Sequence, residues 1–225
     1  MQDVETPPAA PREGRRPRRP RRTRRGRILR ILGLVLIAGA LGVGGYIWWS
    51  LWGTGFEARA AQNDLRTEFE PRIDSRVELE APAPRVIKVP GDAVAIIRIP
   101  RIEVDLVVVE GTGTESLKKG PGHYTDSAYP WDDTGRVGIA GHRTTYGAPF
   151  WSLNELREGD RIALATEYGI FNYRVSRSVV TPPTGILPSG DYVLAQTNHP
   201  TLVLTTCNPR FSAAERLIVI ADRVD

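Results

Sequence analysis

The stretch TLVLTTCNPRFSAAERLIVIADRV, residues 201–224, decides the fold, and it contains the only cysteine of the sequence. Its first part, Thr201 to Thr206, is apolar and rich in β-branched residues, which predicts a strand that an Asn-Pro pair ends. Residues 216–224 predict a second strand, and two strands joined by about eight residues pair antiparallel. We therefore expect Cys207 and Arg216 to be neighbours, an arrangement that favours a thiolate and can stabilise an oxyanion.

Both residues also have an ordinary structural interpretation. A lone cysteine in a strand is usually a small buried apolar residue, and an arginine that opens a strand is usually a solvated edge charge. Cys207, however, stands at the end of its strand. Strand ends lie at the rim of a sheet, where side chains meet solvent, so this position argues against full burial.

The charge of the chain is concentrated at its beginning. Residues 1–30 contain eleven Arg and three acidic residues, a net charge of +8, whereas the remaining 19 basic and 23 acidic residues give −4. The basic isoelectric point therefore describes the N-terminal tail. This tail is rich in Pro and Arg, is expected to be disordered, and precedes a membrane segment, so no nucleic-acid partner is predicted.

Residues 31–52 contain no charged residue. At about 1.5 Å per residue a helix of this length spans roughly 33 Å, enough to cross a bilayer and contact its lipid. Three Trp lie at its far end, and the Arg block before it places the N-terminus in the cytoplasm. A cleaved signal peptide is the alternative, but the apolar region is too long and the cleavage site is poor. The sequence thus predicts a single-pass membrane protein whose later residues lie outside the cytoplasm.

Four segments follow from these patterns. Residues 1–30 are the cytoplasmic tail, 31–52 the transmembrane anchor, 53–91 a stalk or linker that begins with a polar helical stretch, and 92–225 the folded domain.

The folded domain is predicted to be all-β, with seven or so short strands. Short β-branched runs at this spacing, with little helix, indicate a closed barrel or a sandwich. The predicted strands are 93–100, 104–111, 136–142, 161–166, 169–180, 201–206 and 216–224, and the two short helices are 114–120 and 149–156.

A reactive thiolate generally works with a proton carrier, and the chain has three histidines. His142 follows the apolar strand VGIAG and therefore lies at a strand end, as Cys207 does. His123 lies in a glycine-rich turn, where a hydrogen-bonding role is equally plausible. His199 is at the far end of the strand that leads to Cys207, about 20 Å of extended chain away. His142 is the best candidate.

Three segments resemble a known family. LTTC (204–207) followed by Arg216 in ERLIV, AGHRTTYG (140–147) and GPGHY (120–124) are similar to the motifs of sortases, the cysteine transpeptidases of Gram-positive bacteria. The stretch FSAAERLIV resembles class E, the actinobacterial housekeeping type. The resemblance covers about residues 92–225 and implies a sortase β-barrel of about eight strands with short helices, preceded by the transmembrane helix.

The resemblance implies a role for each matching residue. Cys207 corresponds to the nucleophile, His142 to the general acid and base, and Arg216 to the arginine that stabilises the oxyanion and the substrate. Thr206 matches the threonine of the TLxTC signature, and Thr205 is taken with it as a substrate-binding residue. Val203 departs from that signature, which has Thr at this position.

The residues between GPGHY and the histidine strand also lack the family's usual Pro-Gly-Glu and Asn features. Tyr124 is expected at the lip of the substrate groove.

The implied reaction cuts a sorting signal such as LPXTG, or LAXTG in class E, between Thr and Gly through a thioacyl-enzyme. The acyl group then passes to an amine of a lipid-linked cell-wall precursor. No cofactor and no metal are expected, because no acidic cluster has the spacing of a calcium site.

Three alternatives remain open at this point. The first is a membrane-anchored cysteine peptidase that uses the same residues for hydrolysis. The second is a cysteine L,D-transpeptidase, although that class carries a His-Gly-Cys type motif and here Thr206 precedes the cysteine. The third is a non-enzymatic β-domain in which Cys207 fills the core.

Overall fold

The computed structural model describes residues 24–74, 88–89, 91–187 and 189–224. Most of the predicted cytoplasmic tail and the second half of the predicted linker lie outside these residues. The chain divides into two units, Met1–Gly44 and Gly45–Asp225, and each is considered by itself.

Helix dominates the N-terminal part of the described chain. Helix α1 spans Arg24–Trp48, a π-helical turn covers Trp49–Gly53, and helix α2 spans Thr54–Asp74. In the described residues, this helical stretch is the one that is long and apolar enough to cross a membrane, by length and composition. Gly53 is required in the π turn, because a Cβ there would lie 2.5 Å from the ring of Trp49.

Eight strands form a closed barrel in the order β1-β2-β3-β4-β7-β8-β6-β5. The pairs β2–β3 and β4–β7 are parallel, and the other neighbours are antiparallel. All seven predicted strands are confirmed, and the two-residue β3 is added to them. The strands are Ala93–Ile99 (β1), Val104–Glu110 (β2), Gly122–His123 (β3), Arg136–Ala140 (β4), Arg161–Thr166 (β5), Gly169–Thr181 (β6), Thr201–Asn208 (β7) and Glu215–Arg223 (β8).

Short helices complete the barrel, as predicted. Helix α3 spans Thr114–Lys119, and the second expected helix is a 3₁₀ turn, Leu153–Glu155. Another 3₁₀ turn, Pro100–Ile102, connects β1 to β2.

Alternate side chains of the strands fill the barrel interior. On β7, Leu202 and Leu204 belong to the main core, together with Leu217 and Val219 of β8 and Val137 of β4. Because successive side chains of a strand point to opposite faces, the residues between these point outward.

Helix α2 covers part of the outer barrel surface. Its residues Phe69 and Ile73 pack against Ile96, Val107 and Ala165. The side chain of Gln62 adds two hydrogen bonds to Val107, one to its carbonyl at 2.9 Å and one from its N–H at 2.7 Å. The helical part of the predicted stalk is therefore packed on the barrel instead of standing apart from it.

Candidate active site

The pairing of β7 with β8 places Cys207 directly opposite Arg216. This confirms the expectation that the two residues are neighbours. Cys207 is a free cysteine and is partly exposed, so its sulfur is not sealed in the core. The ordinary interpretation of Cys207 as core filling therefore does not fit its position.

His142 lies next to the same site because β4 runs parallel to β7. Ala140 is paired with Thr205, and the hydrogen bond from Gly141 N–H to the carbonyl of Thr205, at 3.0 Å, extends this register. Two residues after this pair come His142, which lies just beyond the end of β4, and Cys207 on β7. Cys207 points outward as Val203 and Thr205 do, because alternate residues of a strand share a face.

The side chain of His142 is half-buried. Burial lowers the pKa of His142 below its usual value of 6.5, because desolvation disfavours the charged imidazolium. The ring of Tyr146 contributes to this cover, with its centroid 5.0 Å from that of the imidazole. The neutral form of His142 is therefore favoured near neutral pH.

Arg216 is anchored by its own turn. Its Nη1 donates to the carbonyl of Ala213 at 3.0 Å and to that of Glu215 at 2.9 Å. A guanidinium carries five N–H donors, so these two contacts orient the group and leave further N–H groups able to donate hydrogen bonds.

A second arginine, which the sequence did not indicate, contacts the backbone of the cysteine. Arg143 is 5% exposed. Its Nη1 donates to the carbonyl of Cys207 at 3.3 Å, its Nε to that of Trp151 at 3.0 Å, and its Nη2 to Oδ1 of Asn154 at 2.8 Å. Burial lowers the pKa of Arg143, and the positive charge of nearby Arg210 lowers it further.

Arg210 lies close to this arrangement. Its guanidinium stacks over the ring of Trp151 at 4.3 Å and also donates to the carbonyl of that residue. Three arginines thus belong to this region: Arg143 donates to the backbone of Cys207, Arg216 is paired with Cys207 across β7 and β8, and Arg210 lies near Arg143.

The predicted substrate-binding residues make contacts within the protein. Thr206 is buried, and its Oγ1 donates to the carbonyl of Gly141 at 2.7 Å, which fastens β7 to the strand end that carries His142. Thr205 is also buried, and its Oγ1 lies 3.0 Å from the hydroxyl oxygen of Tyr124. The Thr206 hydroxyl is thus used within the protein, whereas Thr205 and Tyr124 hydrogen-bond to each other near Cys207.

An apolar cluster occupies the outer surface next to this face. Val203, Ile218 and Ile220 point outward from β7 and β8, and the loop between β6 and β7 covers them with Leu187, Val193 and Leu194, while Tyr124 packs at the edge. Gly138 of β4 lies next to Leu194 of this cluster, because a Cβ at Gly138 would approach the Leu194 side chain to 2.5 Å. We call this buried set of side chains the apolar cluster.

The other two histidines lie away from Cys207. His123 is fully buried on β3, where its Nδ1 lies 3.1 Å from Glu110, its Nε2 contacts Ser127 and the carbonyl of Ala128, and its ring stacks on Tyr129. His199 is exposed and lies 3.9 Å from Asp222. Neither one joins the cluster formed by Cys207 and His142.

No group of three or more His, Cys, Asp or Glu side chains that could hold a metal occurs in the described part of the chain.

A closed barrel that carries Cys, His and Arg at the ends of three adjacent strands is compatible with the class of cysteine-dependent transpeptidases. The family model for the sortase domain matches residues 97–224, which is more than half of the chain. The chain therefore belongs to the sortase family.

Curated relatives include members of two sortase classes. Sortase D of Bacillus subtilis is 39% identical over 140 residues, which are 60% of this chain and 65% of that protein. Sortase SrtE1 of Streptomyces coelicolor is 29% identical over 191 residues, 80% of this chain and 51% of that protein. The chain thus spans less than two thirds of these two relatives.

Solved structures agree with the fold. A Clostridium perfringens sortase D5 transpeptidase has a TM-score of 0.61 at 28% identity, with 74% of this chain and 99% of that chain covered. Sortase E1 of Streptomyces coelicolor, solved with a tripeptide in its active site, has a TM-score of 0.55 at 33% identity, with 61% of this chain and 91% of that chain covered.

Proposed function

We propose that this protein is a membrane-anchored sortase that cleaves a sorting signal between Thr and Gly and transfers the acyl group to an amine. Cys207 is the nucleophile, His142 the general acid and base, and Arg216 the donor to the oxyanion and the substrate. The observation that carries the proposal is the register of β4, β7 and β8: Cys207 is paired with Arg216, and Ala140, two residues before His142, is paired with Thr205, two residues before Cys207.

The reaction proceeds in two halves. As the sulfur of Cys207 attacks the carbonyl carbon of the signal's Thr, the thiol proton passes to His142, and the negative charge on the carbonyl oxygen is stabilised by the Arg216 guanidinium. The C–N bond then breaks, the Gly nitrogen takes this proton from His142, and a thioester remains on Cys207. In the second half an amine attacks this thioester, His142 accepts the amine proton and passes it to the departing sulfur, and the thiol is released as the new amide forms.

The signal peptide binds on the outer face beside Cys207, where the hydroxyl oxygens of Thr205 and Tyr124 lie 3.0 Å apart. The apolar cluster of Val203, Ile218 and Ile220 is covered by the loop between β6 and β7, so the peptide binds beside this cluster and not in it. The tripeptide in the active site of the Streptomyces coelicolor relative supports a peptide substrate. Both LAXTG and LPXTG signals fit this description, and LAXTG follows from the resemblance to class E.

The acceptor is an amine of a lipid-linked cell-wall precursor, and the membrane anchor keeps the enzyme near it. Helix α1 and the residues after it supply the apolar length, with the Arg-rich tail on the cytoplasmic side and the barrel outside. The partners are accordingly secreted proteins that carry the signal, the precursor amine and membrane lipid.

The test uses the full chain in detergent micelles with LAXTG and LPXTG peptides and an added amine, monitored by mass spectrometry. Transfer of either peptide by the wild type, and none by Cys207→Ala, is the expected result. Absence of any cleavage product from both peptides with the wild type would refute the proposal.

Hydrolysis by the same residues is the second candidate, since Cys207 is partly exposed and water can reach a thioester there. The same assay without the amine distinguishes it. A product yield that does not depend on the amine, with free acid as the product, would indicate a peptidase.

A further inference from the structure

The first residue of helix α2 contacts the loop that follows His142. The hydroxyl of Thr54 donates to the carbonyl of Ser50 at 3.0 Å, and its oxygen accepts a hydrogen bond from the backbone N–H of Tyr146 at 3.1 Å. A hydroxyl has one hydrogen and two lone pairs. Because the hydrogen is used on Ser50, the lone pairs are directed to the Tyr146 N–H.

The loop needs such a contact because its backbone is strained. Tyr146, Gly147 and Ala148 all have positive φ values, 51°, 75° and 47°, although two of the three carry a Cβ. Left-handed conformations of residues other than Gly are costly and persist where the surroundings hold them.

The hydrogen bonds described for these three residues show which element stabilises their left-handed backbone. Ala148 N–H donates to Thr145, and Trp151 N–H donates to Ala148, so both of these bonds stay within the loop. The bond from Tyr146 to Thr54 connects the strained segment to another element.

Helix α2 also packs closely against the same segment. A Cβ on Gly55 would lie 3.8 Å from the nitrogen of Gly147, and one on Gly147 would lie 3.7 Å from Cβ of Ala58. The aromatic ring of Tyr146 in turn covers the His142 imidazole, with 5.0 Å between the centroids. A continuous series of contacts therefore runs from Thr54 through Tyr146 to His142.

We propose that Thr54 is a positioning residue for the transfer reaction, because it holds the Tyr146 backbone and thereby the ring that covers His142. The inference rests on the proposed function, since it takes His142 to be the general acid and base. It makes the first turn of α2, a segment outside the barrel, part of the machinery of the site.

The groups around His142 define what the loss of this contact should change. Cys207 and Arg216 are paired on β7 and β8, and the ring of Tyr146 lies against the imidazole from the loop. The pKa of His142 is lowered by burial. If the Tyr146 ring moves away, water reaches the imidazole and the pKa of His142 rises toward its ordinary value. The acid limb of the pH profile of kcat should therefore move to higher pH, while the positions of the other groups remain unchanged.

Three variants of the full chain separate positioning from general stability. Thr54→Val keeps the size and the β-branch but removes the hydrogen-bond acceptor, whereas Thr54→Ser keeps the hydroxyl. Thr67→Val is the matched control, because Thr67 lies on the exposed side of the same helix and its hydroxyl likewise donates to a carbonyl four residues earlier, at 2.8 Å. Each is assayed for kcat and KM of peptide transfer over a range of pH.

For Thr54→Val we expect kcat to fall by about tenfold at unchanged KM, since small misplacements of a catalytic group cost up to about a hundredfold. Its acid limb should move to higher pH. Thr54→Ser and Thr67→Val should stay within about twofold of the wild type. A Thr54→Val enzyme with the kcat and pH profile of Thr67→Val would overturn the inference and leave the proposed function intact.

Amide hydrogen exchange of the wild type tests the contact without any variant, so a failure of Thr54→Val to fold does not remove the test. The Tyr146 amide should exchange more slowly than that of Gly147. Equal, fast exchange of both would overturn the inference. A wild type that transfers no peptide would instead overturn the proposed function, and the role of Thr54 in transfer with it.

Discussion

Replacement of Arg143 by Met is the sharpest test of how Cys207, the proposed nucleophile, is held in place. The side chain is 5% exposed and donates to the backbone carbonyl of Cys207, to the carbonyl of Trp151 and to Asn154. Methionine preserves much of the volume but donates no hydrogen bond. The substitution therefore leaves these acceptors without their Arg143 donor.

The structure limits the size of the effect. Arg210 also donates to the carbonyl of Trp151, at 3.1 Å, and to Asn154, at 3.4 Å, so those two acceptors keep a partner. The lasting loss is the contact with Cys207. A hydrogen bond from a charged donor contributes about 1.5 to 3 kcal/mol. If this loss acts on the position of Cys207, kcat/KM should fall about 10- to 150-fold.

The assay compares kcat/KM for peptide transfer by Arg143→Met and by Arg157→Met, which alters an exposed arginine nearby. Arg143→Lys should recover only part of the loss, because an ammonium cannot reach three acceptors in the fork geometry of a guanidinium. If Arg143→Met and Arg157→Met have kcat/KM values within twofold of each other, the reasoning is refuted.

Three further outcomes follow from the structure. Burial lowers the pKa of His142, so its contribution to folding stability is present above about pH 6.5 and is lost as the pH falls through the lowered pKa. The acid limb of the kcat/KM profile should likewise have its midpoint below pH 6.5. A midpoint above that value would contradict the effect of burial. Phe69→Ala should lower the free energy of unfolding in urea by about 3 to 5 kcal/mol, whereas Phe56→Ala, at 63% exposure on the same helix, should change it by less than about 0.5 kcal/mol. Gly138→Ala should lower the free energy of unfolding in urea by about 1 to 3 kcal/mol, because its Cβ would displace Leu194 of the buried apolar cluster; an unchanged free energy of unfolding would contradict this close contact.

The strands of the barrel could be predicted from the sequence because each is a short run of β-branched residues between turn residues. The neighbourhood of Cys207 and Arg216 followed from the same pattern, since a strand, a short connection and a second strand leave one way to pair. The choice of His142 needed only its place at a strand end. That the parallel pair of β4 and β7 brings it beside Cys207 became visible in the structure.

The packing of helix α2 was not predicted, although the sequence contains a signal for it. Ala58, Gln62, Phe69 and Ile73 are the buried positions of a helix that is otherwise polar. They recur at intervals close to whole helical turns, as expected of one buried face. The polar composition concealed this narrow face and favoured the interpretation as a stalk.

The roles of Arg143 and Thr54 could not be predicted in this way. Arginine after a strand is usually solvated, and threonine is common near helix ends, so neither residue type marks a contact with the site. Their positions depend on the path of the loop at 143–148, where three consecutive residues have positive φ. Such a path is set by tertiary contacts and not by local propensity.

The parallel pairing of β4 with β7 also bears on how the chain folds. The hydrogen bond that fastens Thr206 to Gly141 joins residues 65 positions apart. Contacts of such long range pay a high loop-closure entropy and form late in folding. If the barrel is exported stepwise, as the proposed membrane anchor implies, Cys207 and His142 would come together only after nearly all of the barrel has crossed, and a partly translocated chain would lack the proposed active site.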